Sequence, residues 1–408
     1  MKCRHCEAPV TAKFLDLGFA PPSNAYLKAG DLSRPEKYYP LRVLVCTQCW
    51  LVQTEDYAYA GELFNSEYAY FSSTSTGWLA HAKRYAQDMI SRLPLGKGSF
   101  VIEIASNDGY LLKNFVGAGI PCLGIEPTAG TAAAAEAIGI PVLREFFSEV
   151  LGRRLAGEGR LADLIIGNNV YAHVPDINDF TWGLAAALKP GGTITLEFPH
   201  VMRLIQQAQF DTVYHEHFSY LSLFTVARIF AKSGLRVYDV EELPTHGGSL
   251  RVYGCHAGAG HAVTGRVKML LDAEAEFGLQ NAGIYAGFQA VADKVKDGVL
   301  EFLIAEKRKG RKVVGYGAAA KGNTLLNYAG VKPDLLAYIC DAAPSKQGKF
   351  MPGSHIPIVA PDALSEGKAD AVLILPWNIS KEIASGIAPM LARDVEVWIG
   401  VPQIERIH

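Results

Sequence analysis

The sequence predicts an α/β protein in three parts: a small zinc-binding domain, a central doubly wound α/β domain and a smaller C-terminal α/β domain. Three observations predict it. Two C-x-x-C pairs stand near the N-terminus, apolar strand segments alternate with helical periodicity from about residue 73, and the same alternation returns in the last hundred or so residues. A chain of 408 residues exceeds one ordinary core. The boundaries are read at 1–72, 73–257 and 258–408.

Residues 1–72 hold short apolar pieces broken by Gly, Pro and Asn, as in LDLGFAPPSNAYL. So little core needs a staple. Cys3/Cys6 and Cys46/Cys49 supply one, because two knuckles turn four thiolates toward a shared ion in the tetrahedral arrangement typical of structural zinc. His5 lies inside the first knuckle as a bystander. Cys122, Cys255 and Cys340 are isolated in apolar surroundings and read as buried thiols.

The central domain opens with a helical stretch, GWLAHAKRYAQDMISRL. Strands follow at 100–105, 121–126, near 141–143, 162–169 and 192–198, with helices between them. After the segment VYHEHFSYLS comes the helix LFTVARIFAKSG, then strands 235–241 and 249–256 bracketing PTHGG as a hairpin-like pair. Residues 264–308 read as two long helices. The last domain has strands at 312–317, 335–341, 369–375 and 395–400, with the helix AAKGNTLLNYAG after the first.

Two loops look built for ligands. In the central domain, strand 100–105 runs through Ala105, Asn107 and Gly109 into a helix start, where a ligand meets the backbone and the positive end of the helix dipole. Glu103 sits inside that strand, and Glu126 ends the next, placed for ribose hydroxyls. An acidic residue in the first strand favours the ammonium and sulfonium of S-adenosylmethionine over a pyrophosphate. Asn168, Asn169 and His173 follow at the carboxyl edge, where open α/β sheets bind ligands. In the last domain GYGAAAKGN places Lys321 at a glycine turn, which suits the diphosphate of a nucleotide-linked substrate.

VYHEHFSYLS packs Tyr214, His215, Glu216, His217 and Tyr220 together. If the segment is extended, His215 and His217 share one face and Glu216 the other. Metal binding, a structural polar turn and catalysis are the three readings. The first lacks a third ligand and the H-E-x-x-H spacing.

The two knuckles, EIASNDGYLL, GNNVYAHVPD, VYHEHFSYLS, THGGSLRVY and GYGAAAKGNTLLNY occur in one order. Over essentially the whole chain they resemble the sugar C-methyltransferases that act on nucleotide-linked 4-keto-deoxysugars in antibiotic and cell-surface sugar pathways. The resemblance implies a zinc-binding domain, a class I (Rossmann-like) S-adenosylmethionine methyltransferase domain and a Rossmann-like C-terminal domain, the sugar nucleotide lying between the last two. It implies methylation at C-3, beside a C-4 ketone, with His217 as the base. Tyr214, Glu216 and His173 would surround the hexose, with Tyr68 a further substrate-side tyrosine. Lys321 and Asn323 of the GYGAAAKGN string would lie on the nucleotide side. Thr74 stands where many relatives carry tyrosine, and Ala319 where they carry proline.

Two other functions compete: a zinc-ribbon nucleic-acid methyltransferase and an NAD-dependent sugar-nucleotide oxidoreductase. The formal net charge of −2 argues against nucleic acid as a partner. Against NAD, only Asp341 is placed to end the strand after the glycine turn. No apolar run approaches the roughly 20 residues of a membrane span. MKCRHCEAP lacks a signal-peptide core, so a cytoplasmic location without a membrane partner is expected.

Overall fold

The computed structural model describes residues 1–55, 57, 71–366 and 369–408. Tyr68 lies outside the described residues. Among these residues no helix is long and apolar enough to cross a membrane. Among the described residues three sheets form, of four, seven and six strands.

The first sheet joins Ala12–Ala20, Tyr39–Val45 and Val52–Thr54 in antiparallel order, and its fourth strand, Ser219–Tyr220, comes from far along the chain. Beside it the knuckles form two matched turns. Glu7 N donates to the Cys3 carbonyl at 3.0 Å and Trp50 N to the Cys46 carbonyl at 2.7 Å. Glu7 and Trp50, each just after the second cysteine of its pair, both take positive φ (62° and 63°). This domain does not rest on the knuckles alone. Phe14 stacks on Phe288 of the C-terminal domain at 4.7 Å, and the knuckle cysteines with Leu51 share a core with Leu196, Phe198 and Leu223 of the central domain.

The seven-stranded sheet has parallel strands Val142–Leu143, Cys122–Ile125, Val101–Ile104, Ala162–Asn168 and Leu188–Pro199 in spatial order. Strand Ser249–His256 then pairs antiparallel between Leu188–Pro199 and Leu235–Leu243. The hairpin-like pair of the sequence is therefore real, and its second strand is the one inserted into the sheet. Strand order reverses between Val101–Ile104 and Ala162–Asn168, so a crevice opens beyond their carboxyl ends, at residues 105–109 and 168–169.

The C-terminal sheet repeats the device. Ile358–Val359, Ile339–Cys340, Val313–Tyr316, Ala371–Ile374 and Glu396–Ile399 run parallel, closed by antiparallel Glu405–Arg406. Its order reverses at Val313–Tyr316, which places Gly317–Lys321 and Pro376–Asn378 at one crevice. The expected two helices over 264–308 are three: Gly265–Phe277, Ala282–Ala286 and Phe288–Arg308. Gly278, at φ 94°, ends the first, and Asn281 caps the second by accepting from Gly283 N.

The two carboxyl edges meet. Thr324 Oγ1 donates to the Val213 carbonyl at 2.9 Å, and Trp377 Nε1 donates to Asp211 Oδ2 at 2.7 Å. Cys46→Ser should lower bound zinc to well under one per chain and cut methyl transfer along with the melting temperature, because strand Val52–Thr54 carries the segment that holds the site. Metal analysis beside a thermal melt checks it.

Candidate active site

The HEHF segment is a turn, not an extended strand. His217 N donates to the Tyr214 carbonyl at 2.9 Å, so His215 and His217 do not share a face. The His215 imidazole packs on Tyr39, with its Nε2 3.4 Å from the Tyr39 carbonyl. His217 Nδ1 lies 2.8 Å from the Thr212 carbonyl. Among the described residues, the four cysteines are the one group arranged to hold a metal.

Four residues of the sequence-derived set converge here. The His217 ring lies 4.0 Å from Tyr214 and 4.6 Å from His173, centroid to centroid. Glu216 is buried and accepts from Asn24 Nδ2 at 2.7 Å. Because a carbonyl can only accept, Nδ1 of His217 carries the proton and Nε2 is the basic nitrogen. Burial holds this imidazole well below the ordinary histidine range. His173, Lys321 and His246 push the same way, and the Thr212 carbonyl opposes them. Burial brings His173 down to about 4, against the Glu216 backbone.

Lys321 faces this group from the C-terminal domain. Its ammonium sits 4.7 Å over the Trp377 ring and donates to Asn378 Oδ1 at 3.0 Å. Burial lowers it to about 8, while Asp211 holds it up. Burial in turn raises Asp211 to about 6, against Lys321 and the Trp377 indole. Asn323 is fully buried, with neither amide atom partnered among the described residues. Asp341 is committed to the loop itself, accepting from Ala318 N at 2.7 Å and Ala343 N at 2.8 Å. Sequence reasoning passed over Tyr26 and Asn24. Tyr26 donates to the Ala318 carbonyl at 2.6 Å, so one stretch of the zinc-binding domain reaches both the HEHF turn and the glycine loop. The string PPSNAYL carried no periodic signal that could reveal this.

The cofactor loop follows Val101–Ile104. Ala105, Asn107 and Gly109 all take positive φ (56°, 49° and 77°). Gly109 is required for packing as well, since a Cβ there would lie 2.3 Å from Ile140 Cδ1. Glu126 accepts Asn107 N at 3.0 Å and Thr128 N at 2.9 Å, which ties the loop to the end of the next strand. Asn107 Oδ1 accepts Ser72 N at 2.9 Å. Thr74 is exposed, and its hydroxyl turns back to the Phe71 carbonyl at 2.8 Å. Burial, with Asp108 and Glu126 nearby, raises Glu103 well above the carboxylate range.

Glu103 Oε2, Ser106 Oγ, Asp108 Oδ1 and both amide atoms of Asn168 are buried without partners among the described residues. So many orphaned polar atoms around one loop fit a polar ligand with an amino-acid end and a nucleoside end. They fit S-adenosylmethionine. The cysteines fit zinc equally well. The Sγ atoms of Cys3 and Cys49, and of Cys6 and Cys46, lie 3.5 Å apart. The edge of a tetrahedron with Zn–S near ~2.3 Å is about 3.8 Å. Four thiolates close the coordination sphere, so the zinc is structural.

Fold and site together define a methyltransferase that uses S-adenosylmethionine and carries a structural zinc. The family models and a full-length relative agree. Residues 3–64 match a zinc binding domain family, 78–240 a methyltransferase domain and 244–402 the C-methyltransferase C-terminal domain. The chain is 32% identical over 402 residues to C-methyltransferase NovU of Streptomyces niveus, covering 98% of this chain and 96% of that one. Magnesium protoporphyrin IX methyltransferase from Synechocystis PCC 6803 with bound SAH matches with a TM-score of 0.36 and 14% identity, over 44% of this chain and 84% of that chain. An S-adenosylmethionine-dependent methyltransferase from Clostridium acetobutylicum matches at 0.36 and 9% identity, over 44% and 92%. The chain belongs to the S-adenosylmethionine-dependent C-methyltransferase family.

Gly109→Ala tests the cofactor loop. It should cost about 1–3 kcal/mol of stability through strain and overpacking and weaken S-adenosylmethionine binding, read by denaturant melts and calorimetric titration.

Proposed function

We propose that the chain methylates C-3 of a nucleotide-diphospho-4-keto-deoxyhexose, dTDP-linked, in deoxysugar biosynthesis in the cytoplasm. The observation that carries this reading is the His217 imidazole, neutral and with Nε2 as its basic nitrogen, among polar residues where two sheet edges meet. Carbon has no lone pair to offer a methyl donor, so an acceptor carbon must first lose a proton. A ketone at C-4 makes the C-3 hydrogen acidic, because the electron pair left behind spreads onto the carbonyl oxygen. His217 Nε2 takes that proton, and the Thr212 carbonyl holds the ring in the required tautomer. S-adenosylmethionine, held by Glu103, Ala105, Asn107, Gly109, Glu126 and Asn168, supplies the electrophilic methyl group. Tyr214, Glu216 and His173 line the hexose, while Lys321 and Asn323 serve the diphosphate side. The division into 1–72, 73–257 and 258–408 assigns staple, chemistry and substrate tail to successive domains.

Mass spectrometry for a +14 product, after incubation with S-adenosylmethionine and a panel of 4-keto sugar nucleotides, tests the reaction. His217→Asn should lower turnover by about 10²–10⁴ with zinc content and cofactor binding intact. A wild-type rate in that variant removes the base assignment.

The pH profile follows from the shifts. His217 is active when neutral and its pKa is lowered, so kcat/KM should persist as pH falls through 6.5 and decline only below it. Lys321 is cationic below about 8, so the KM for a diphosphate substrate should rise above that pH. A profile with its acid limb above 6.5 contradicts the assignment of the base.

A further inference from the structure

Between strands Leu235–Leu243 and Ser249–His256 the chain turns through Thr245–Gly247, and His246 there takes left-handed angles, φ 53° and ψ 23°. A residue with a Cβ is disfavoured in that region, and glycine would occupy it freely. The surroundings over-determine the turn. Thr245 Oγ1 donates to Glu197 Oε1 at 3.0 Å, Ser249 Oγ donates to the Thr245 carbonyl at 2.9 Å, and Gln209 Nε2 donates to the Gly247 carbonyl at 2.7 Å. Gly247 is pressed from the C-terminal domain, since a Cβ there would lie 2.5 Å from Trp377 Cη2. Strain held this firmly marks a functional position.

The turn delivers an imidazole to the crevice. His246 Nε2 lies 3.3 Å from Asn169 Nδ2, and Asn169 is itself left-handed (φ 52°) at the end of Ala162–Asn168. The His246 ring stands 5.3 Å from Trp78. Lys321, Glu197, His81 and His173 are its ionisable neighbours, and burial brings it down to about 4. With Asn169 Nδ2 assigned as donor, Nε2 accepts and the proton of the neutral ring sits on Nδ1. His217 and His246 are thus complementary neutral imidazoles within electrostatic reach of each other, one offering a lone pair and the other an N–H.

We propose that His246 is a further catalytic residue, donating Nδ1–H to the acceptor's carbonyl oxygen while His217 Nε2 removes the proton from the adjacent carbon. This rests on the keto-sugar reading above. The C–H pair becomes a C=C bond, and the carbonyl oxygen takes the negative charge against the His246 hydrogen bond. The carbon then bonds the methyl group as the methyl–sulfur bond of the donor breaks. A neutral donor does this without adding a second cation beside Lys321.

The test separates deprotonation from methyl transfer. Wild type, His246→Gly and His246→Asn are incubated in D₂O with a 4-keto sugar nucleotide and S-adenosylhomocysteine, and mass spectrometry follows deuterium entering the α-carbon. Both replacements tolerate positive φ, so the backbone is preserved; zinc content and melting temperature check folding. Glycine should slow exchange about 10²-fold, and asparagine, which restores an N–H donor, should recover part of it. Glycine exchanging at the wild-type rate overturns the proposal, as does asparagine failing to exceed glycine. Wild type that neither exchanges nor gains +14 from S-adenosylmethionine sinks the keto-sugar reading itself, a pattern distinct from the other two.

Discussion

The site depends on a strand pairing between distant parts of the chain. Val52–Thr54 pairs with Ser219–Tyr220, and Thr54 also binds the turn directly: its N donates to the Phe218 carbonyl at 3.1 Å and its Oγ1 to the His217 carbonyl at 3.2 Å. The backbone of the proposed base is therefore an edge of the zinc-stapled sheet. Zinc performs no chemistry in this arrangement, but the knuckles fix the strand on which the histidine hangs. Arg4, inside the first knuckle, reinforces the link by donating to the Thr54 and Pro175 carbonyls at 3.0 Å each. The N-terminal domain shares cores with both neighbours. Sharing them is what brings the two sheet edges together.

Electrostatics in the crevice follow from the same closeness. His217 and His246 stand near both Lys321 and His173, and burial pushes each of the four toward its neutral form. For His217 and His246 repulsion by like charges adds to desolvation. Asp211 partly offsets this for the lysine. A cluster of bases is thus kept unprotonated at neutral pH, while Lys321 keeps much of its positive charge. Behind His246, Glu197 gathers Thr245, Arg251 and His81, so the strained turn rests on a satisfied carboxylate.

Much of this was legible in local patterns. The knuckle spacing, the alternation of strands and helices, and the acidic residue in strand Val101–Ile104 each report on their own neighbourhood. The first sheet was not legible. Ala12–Ala20 carries register shifts between Lys13 and Leu15 and between Asp16 and Phe19, so Phe14 and Leu15 are both buried and the two-residue period disappears. Ser219–Tyr220 is too short for any period. Within 264–308 the glycine-rich stretch 278–287 reads as a single break between two helices, and the five-residue helix Ala282–Ala286 inside it is too short to show a period.

The sequence by itself determined the class of chemistry: four thiolates at ligand spacing, a loop that begins a helix after an acidic strand, and a polar cluster with two histidines. These are properties of residue type and short spacing, which no tertiary contact can alter. Only the tertiary structure decided how the two histidines are held. Turning HEHF instead of extending it sends His215 to Tyr39 and His217 to the Thr212 carbonyl, and that hydrogen bond selects the tautomer. Tertiary structure also brought Lys321, Asp211 and His246 to the same crevice from segments up to about a hundred residues apart. Proton location and electrostatic neighbourhood depend on distances in space, and local sequence spacing does not encode them.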